Sequence, residues 1–367
     1  AEFFRKELDV KSELRENPTA TRSKTIYMRV YHIACFLSLL VLGLGSFARA
    51  TAAAAEKIHA SYGATNGSMA ATWIAKEAAL FKQQELDVSL VYISGGPRSV
   101  MALLGGSVQF INHSAMPSLE AYVRGADTVL IGTALNRVDH SLMVQPNITT
   151  PQELRGKILG VSTLGALTDV VLREGLRING LSEKDVTILP VGDLGARLSS
   201  LQTGRVHGAM VAGVQYLAAA KMGFRQLLDF SKLPIEISTS SILSRRSYVV
   251  KNPHTTLKFL KAWTEATYLL KSNPKFSVEV IAKYVGIRDA EILEAIQAFY
   301  SATLSERPVP TVSLAKSMLS FLSRSNPEAK NANPEGFIEP RFIKELEASG
   351  FLAELSRKYP IKQKRGD

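Results

Sequence analysis

The run "KILGVSTLGALTDVVLREGLRI", residues 157–178, changes period halfway along. Residues 157–161 form a short apolar stretch of strand character, and from residue 168 apolar side chains recur at helical intervals. Between them lie Ser162, Thr163, Gly165 and Ala166, all small and uncharged. A strand that empties through small residues into a helix is half of a βαβ unit. Open α/β sheets bind ligands at the carboxyl ends of their strands. The free N–H groups at a helix start favour an anion or an acceptor oxygen there. The "STLGA" turn is therefore either a ligand cradle, with the Gly165 and Ala166 amides as donors, or ordinary capping chemistry.

Working outward, the chain contains this pattern twice. A shift of 98 residues without a gap places Gly67 on Gly165, Asp87-Val88 on Asp185-Val186, and Gly106-Ser107-Val108 on Gly204-Arg205-Val206. In the first unit "KIHASYG" reads as a strand and residues 68–81 as a helix capped by Ser68. Strand "DVSLVYI", turn "SGG", a helix over 97–104 with Pro97 at its first position, and strand "VQFI" follow. In the second unit "DVTIL", turn "PVGD", a helix to Leu201 and strand "GAMV" follow the opening stretch. Two such units predict an α/β protein of two lobes with parallel-rich sheets. The extended segments "ALNRVDHSLMVQ" and "IEISTSSILSRRSYVV" read as two crossings between them, which makes a hinge rather than a tether. After the second crossing the pattern is helical, from Pro253 through "VSLAKSMLSFLS". The expected division is a discontinuous first lobe, 56–138 plus 246–367, and a second lobe, 139–245.

Bulk composition narrows the classes. At 46% hydrophobic and 21% charged over 367 residues, the chain can fill two cores of ordinary size. Its formal charge of +11 is spread out, with a basic run at the C-terminal "RKYPIKQKRGD" and no nucleic-acid motif, so nucleic acid is not an expected partner. From Met28 the chain has Arg29, an apolar run over 33–44 and Ala48-Arg49-Ala50, the layout of a secretory signal peptide over 28–55. Residues 1–27 are charged and lack a Met, so Met28 is read as the native start. The one cysteine, Cys35, lies in the apolar run, which leaves the mature chain without disulfide or thiolate chemistry.

The repeat supplies four turns at strand ends: "GATNGS", "SGGP", "STLGA" and "VGDLG". Glycine at 67, 95 and 165 admits close backbone approach. Asn66, Ser68, Ser94, Ser162, Thr163 and Asp193 add side-chain oxygens. Past strand "VQFI" stand Asn112, His113 and Ser114, with His113 read either as a donor to an anion or as a satisfied turn histidine. Arg137, in the first crossing, would clamp an acid bidentately or pair with Asp139. Tyr216 covers the cleft or packs. The histidines form neither H-E-x-x-H nor a G-x-S-x-G elbow, and no metal or cofactor is expected.

The phrases "ASYGATNGSMAATWIAKEAALFKQQELDVSLVYISGGPRSVMALLGGSVQFINHS" and "TTPQELRGKILGVSTLGALTDVVLREGLRINGLSEKDVTILPVGDLGARLSSLQTGRVHGAMVAG" resemble periplasmic substrate-binding proteins of the aliphatic-sulfonate, nitrate and thiamine-precursor type. The resemblance covers residues 58–228. It implies the type II periplasmic-binding-protein fold and a carrier that holds a small anionic or polar organic solute between its lobes. Such carriers work in the periplasm as single copies and deliver the solute to the permease of an inner-membrane ABC transporter. It also implies ligand contacts at Asn66, Gly67, Ser94, Gly95, 112–114, 163–166 and Asp193. Gln109 departs from the acidic residue frequent in sulfonate and nitrate relatives, and "NHSAM" departs from their Gly-rich loop, which puts a sulfonate ligand in doubt. The alternative is an enzyme on the same scaffold, of the thiamine-pyrimidine-synthase or lyase kind.

Overall fold

The computed structural model describes residues 55–361, which form two five-stranded sheets. The segment 1–27, the expected signal peptide and Cys35 lie outside the described residues. Strands β1 (Glu56–Tyr62), β2 (Leu86–Tyr92), β3 (Phe110–His113) and β4 (Val129–Leu135) open the first sheet. The chain then crosses and builds the whole second sheet from β5 (His140–Val144), β6 (Ile158–Val161), β7 (Thr187–Pro190), β8 (Gly208–Ala212) and β9 (Arg225–Asp229). It returns as β10 (Ser240–Ser244), and the orders are β2-β1-β3-β10-β4 and β7-β6-β8-β5-β9.

The sheets share one plan. In each, three strands run parallel, β2-β1-β3 and β7-β6-β8, and the strand that follows a crossing lies antiparallel beside the third. The crossings are therefore short. The ends of the segments read as extended links are β5 and β10, each built into a sheet and buried along its length. Ser240–Ser244 thus pairs in the first sheet, although residues up to 245 were expected in the second lobe.

Helices cover the sheets. The first lobe carries α1 (Ala70–Glu77), α2 (Leu80–Gln83), α3 (Gly96–Leu104) and α4 (Met116–Val123). The second carries α5 (Leu167–Ile178), α6 (Leu194–Gln202) and α7 (Tyr216–Lys221). The helix expected over 68–81 is broken: a 3₁₀ turn covers Gly67–Met69, and Ala79 takes a left-handed φ of 55° between α1 and α2. That break turns Leu80 and Phe81 inward, where both are buried. The 98-residue shift carries α3 onto α6 residue for residue and the start of β3 onto the start of β8.

The C-terminal run begins with α8 (Arg246–Lys251), α9 (Pro253–Ser272), α10 (Pro274–Val285), α11 (Ala290–Thr303) and α12 (Val312–Leu322). It ends with α13 (Pro334–Phe337), α14 (Arg341–Ala348) and α15 (Phe351–Lys358). Helix α9 lies against α1 and α2 with Phe259 stacked on Phe81 and Phe110, their ring centroids 4.8 and 4.1 Å away. The first core thus joins residues nearly two hundred positions apart, which ties the two pieces of the lobe together by apolar burial. No helix among the described residues is long and apolar enough to cross a membrane.

Candidate functional site

The carboxyl ends of β1, β2 and β3 face those of β6, β7 and β8 across a cleft. Segments that follow these strands line it, together with Asp139 and Thr239 from the crossings and His140 at the start of β5. Counted out to its open mouth, the cavity holds about 700 Å³. The lobes touch around it. A Cβ placed on Gly95, which has a φ of 82°, would come within 2.2 Å of Thr163 Oγ1 across the cleft. Gln215 Nε2, after β8, donates to the Thr65 carbonyl, after β1, at 3.2 Å.

The opening turn resolves against the cradle reading. The Gly165 amide donates to Asp169 Oδ2 at 2.8 Å, and the Ala166 amide donates to the Thr163 carbonyl at 3.2 Å. Ser162 donates its amide to Thr168 Oγ1 at 3.0 Å, and the two hydroxyls lie 2.8 Å apart. All three amides are thus used within their own turn. Ser162 and Ala166 line the cavity, whereas Gly165 is absent from its lining and supports the turn through its left-handed φ of 74°. Thr163 Oγ1 is buried without a partner against the Gly95 loop.

Most other expected residues also have local partners. Asn66 lines the cavity, but its Oδ1 caps the 3₁₀ turn by accepting from the Ser68 amide at 3.0 Å. Ser68 lines it too, and its carbonyl accepts from Ser240 Oγ at 2.6 Å. Gly67 is absent from the lining; its missing Cβ makes room for the Tyr300 ring, 2.2 Å from where that atom would stand. Asn112 is off the cleft as well, accepting from Thr72 Oγ1 at 2.9 Å and donating to the Ser241 carbonyl at 2.9 Å. Ser94, Gly95, His113, Ser114 and Asp193 all line it.

Arg137 neither clamps the cleft nor pairs with Asp139. It is exposed, with its guanidinium 5.6 Å from the Phe299 ring centroid. Asp139 instead accepts from Tyr300 Oη at 2.8 Å and lies 3.0 Å from His140 Nδ1. That buried contact joins the first crossing to α11, and burial, then the Asp139 charge, holds the Tyr300 phenol well above its ordinary pKa. Tyr216 packs on the second-lobe core.

The strongest group in the cleft is Arg197, which the reading of the sequence missed. It sits one turn into α6, four residues after Asp193, whose carboxylate caps the helix by accepting from the Ala196 amide at 2.9 Å. Arg197 is buried and lines the cavity. Nε donates to the Met210 carbonyl at 2.8 Å and Nη1 to the Gly192 carbonyl, so the backbone fixes the guanidinium plane. Among the described residues it makes no ion pair with a carboxylate. Burial pushes its pKa down to about 10, while Tyr92 and Asp193 nearby favour its charge. Arg197 is thus a buried cation whose hydrogen-bond partners in the protein are neutral carbonyls, and burying a charge without a paired counter-charge is costly. A lone arginine inside a helix ordinarily reads as surface. The 98-residue shift lays Arg197 on Ser99, which the structure shows to be fully buried, but nothing in the sequence alone marked either position as facing inward.

His113 is also buried. Its Nδ1 contacts the Ser114 carbonyl, and burial pushes its pKa down to about 4, so the ring is neutral near pH 7. Among the described residues no group of three His, Cys, Asp or Glu is placed to hold a metal ion.

A protein of Brucella abortus provisionally named a binding protein is 24% identical over 228 residues, 60% of this chain and 69% of its own. An Escherichia coli protein provisionally named for binding aliphatic sulfonates is 27% identical over 253 residues, 67% of this chain and 77% of its own. The solved alkanesulfonate-binding protein of Xanthomonas axonopodis pv. citri, bound to MOPS, superposes with a TM-score of 0.66 at 19% identity, over 78% of this chain and 99% of its own. That likeness carries the fold, the two-lobed type II periplasmic-binding-protein architecture expected from the sequence. The model of the NMT1/THI5-like family matches residues 66–277, more than half of the chain, and the protein belongs to that family.

Proposed function

We propose that this protein is an extracytoplasmic solute receptor that closes on a small organic anion around Arg197 and presents it to an ABC importer of the inner membrane. One observation carries the reading: a buried guanidinium, oriented by two backbone carbonyls and in ion-pair contact with no carboxylate among the described residues, lines the cavity between the lobes. The planar fork of arginine fits a carboxylate or sulfonate. The names of the relatives point to carriage rather than catalysis.

Closure follows from the topology. The crossings at 136–139 and 230–239 act as hinges, and the solute is touched from both sides only when the lobes meet. Ligand contacts favour that state through affinity the open state lacks. Ion pairs between α7 and the start of α11, Lys221 with Asp289 and Glu291 at 2.8 and 2.6 Å, add to it at the surface. The permease then reads the closed face.

A thermal-shift screen tests this, with the purified protein against alkanesulfonates, carboxylates, nitrate, polyamines and neutral pyrimidines. Binding stabilises by RT ln(1 + [L]/Kd), about 2.7 kcal/mol at a hundredfold excess over Kd. The expected result is a rise in melting temperature with acids and none with polyamines or pyrimidines. A rise confined to cationic or neutral compounds would contradict the anion reading, and turnover of the added solute would make the protein an enzyme.

A further inference from the structure

Among the residues that line the cavity, three buried side-chain atoms lack a hydrogen-bond partner; one, His140 Nδ1, faces the Asp139 carboxylate, and the other two are acceptors. His113 Nε2 has no hydrogen-bond partner, and neither has Gln215 Oε1; both residues line the cavity. Their roles are fixed by what their other atoms do. The Ser114 carbonyl can only accept, so His113 Nδ1 carries the proton and Nε2 of the neutral ring presents a lone pair. The Thr65 carbonyl likewise can only accept, which assigns the Gln215 amide nitrogen to it and leaves Oε1 as the unpaired atom. One acceptor comes from each lobe, at 4% and 0% exposure. The Asp193 carboxylate adds a third acceptor, partly used by the Ala196 amide. An anion alone satisfies Arg197 and leaves these atoms bare, and a buried polar atom without a partner is destabilising.

Building on the anion reading, we infer that the solute is an acid that also carries N–H or O–H donors, its acidic group on Arg197 and its donors on His113 Nε2 and Gln215 Oε1. Simple acids of the same size fit the guanidinium but not the acceptors. The class is that of hydroxy- or amino-substituted small sulfonates and carboxylates. A site built to bond a hydroxyl discriminates strongly against the analogue that lacks it, because its own polar groups are then left unpaired.

Calorimetric titration of the purified protein with isosteric pairs tests this: 2-hydroxyethanesulfonate against propane-1-sulfonate, and glycolate against propionate. The donor-bearing member of the preferred pair should bind at least about tenfold tighter. In His113→Leu that ratio should fall toward one, and Gln215→Leu provides the same readout should the first variant not fold. Equal affinities in the wild-type protein, or a ratio that survives both substitutions, would overturn the inference and leave the anion reading standing. Tighter binding of the donor-less members would also overturn it, since that end of the solute would then meet an apolar surface rather than acceptors. Failure of every acid to bind would remove the anion reading and this inference with it.

Discussion

Helices α3 and α6 hold the same place in their lobes and have the same length, yet their first turns do opposite work. In the first lobe Gly95 precedes the helix with a left-handed φ of 82°, and the buried position one turn in is Ser99. In the second lobe the same two positions are Asp193 and Arg197. The first turn has no side chain at its cap and lets Thr163 of the opposite lobe come close. The second has a carboxylate cap and, behind it, a buried cation. A duplicated frame thus divides the labour of capture, with close approach supplied from one side and charge from the other. The equivalent turns are not four copies of one cradle.

This comparison can be broken at several points. Arg197→Met should lower affinity for the bound acid by about a hundredfold or more, because the acid then meets an apolar wall, as titration of the variant would record. The protein should fold as well or better without a buried cation to desolvate, which a melting curve checks.

His113 gives the next effect, read as stability against pH. Its pKa falls from 6.5 to about 4 on folding, so the unfolded chain takes up a proton that the folded chain refuses. Stability should therefore be full above about pH 6.5 and fall by about 3 kcal/mol as pH drops to about 4. Urea titrations across that window should show the loss, and His113→Leu should flatten it.

Gly95→Ala should act on closure. The new Cβ meets Thr163 Oγ1 at 2.2 Å, and the strained φ adds to it, so affinity should fall roughly tenfold while the separate lobes stay folded. Gly165→Ala should do least. Its Cβ would have ordinary contact with Pro97 at 3.5 Å, and the amide stays bonded to Asp169, so a loss of about 1 kcal/mol in stability is expected with affinity within about threefold. A large loss of affinity there would restore the "STLGA" turn as a ligand cradle.

Much of the scaffold was legible. The change of period at 157–178 and its echo near 58–81 predicted alternating strands and helices, and the 98-residue shift proved to be the spacing of α3 and α6. Strand β4 was not read because its seven buried residues show no alternation and, unlike the equally buried β3 and β8, it lies beyond the matches of the 98-residue shift. The crossings looked like links because residues in an antiparallel strand deep in a sheet are as extended as a linker; their partners, β3 and β8, lie far away in sequence.

The site was legible in place but not in chemistry. Strand ends and glycines located the cleft, and nine of the fourteen candidate residues named do line it, Ser94, Ser114 and Ser162 among them. The choice between cradle and cap at the 165 and 166 amides stayed open in the sequence because their partners, Asp169 Oδ2 and the Thr163 carbonyl, are themselves local and invisible to a motif. Gly67 was read as an approach for ligand, whereas the ring that fills its space comes from Tyr300. Arg137 was read as clamping an acid or pairing with Asp139, yet it is exposed, and Arg197, buried in the cleft, drew no notice because nothing in its helix sets it apart.

The most direct measurement is a crystal structure with whichever small acid raises the melting temperature most. The acidic group should lie within hydrogen-bond distance, about 2.7–3.2 Å, of the Arg197 guanidinium. An acid seated on the Gly165 and Ala166 amides, with Arg197 still bonded only to the Met210 and Gly192 carbonyls, would contradict the account.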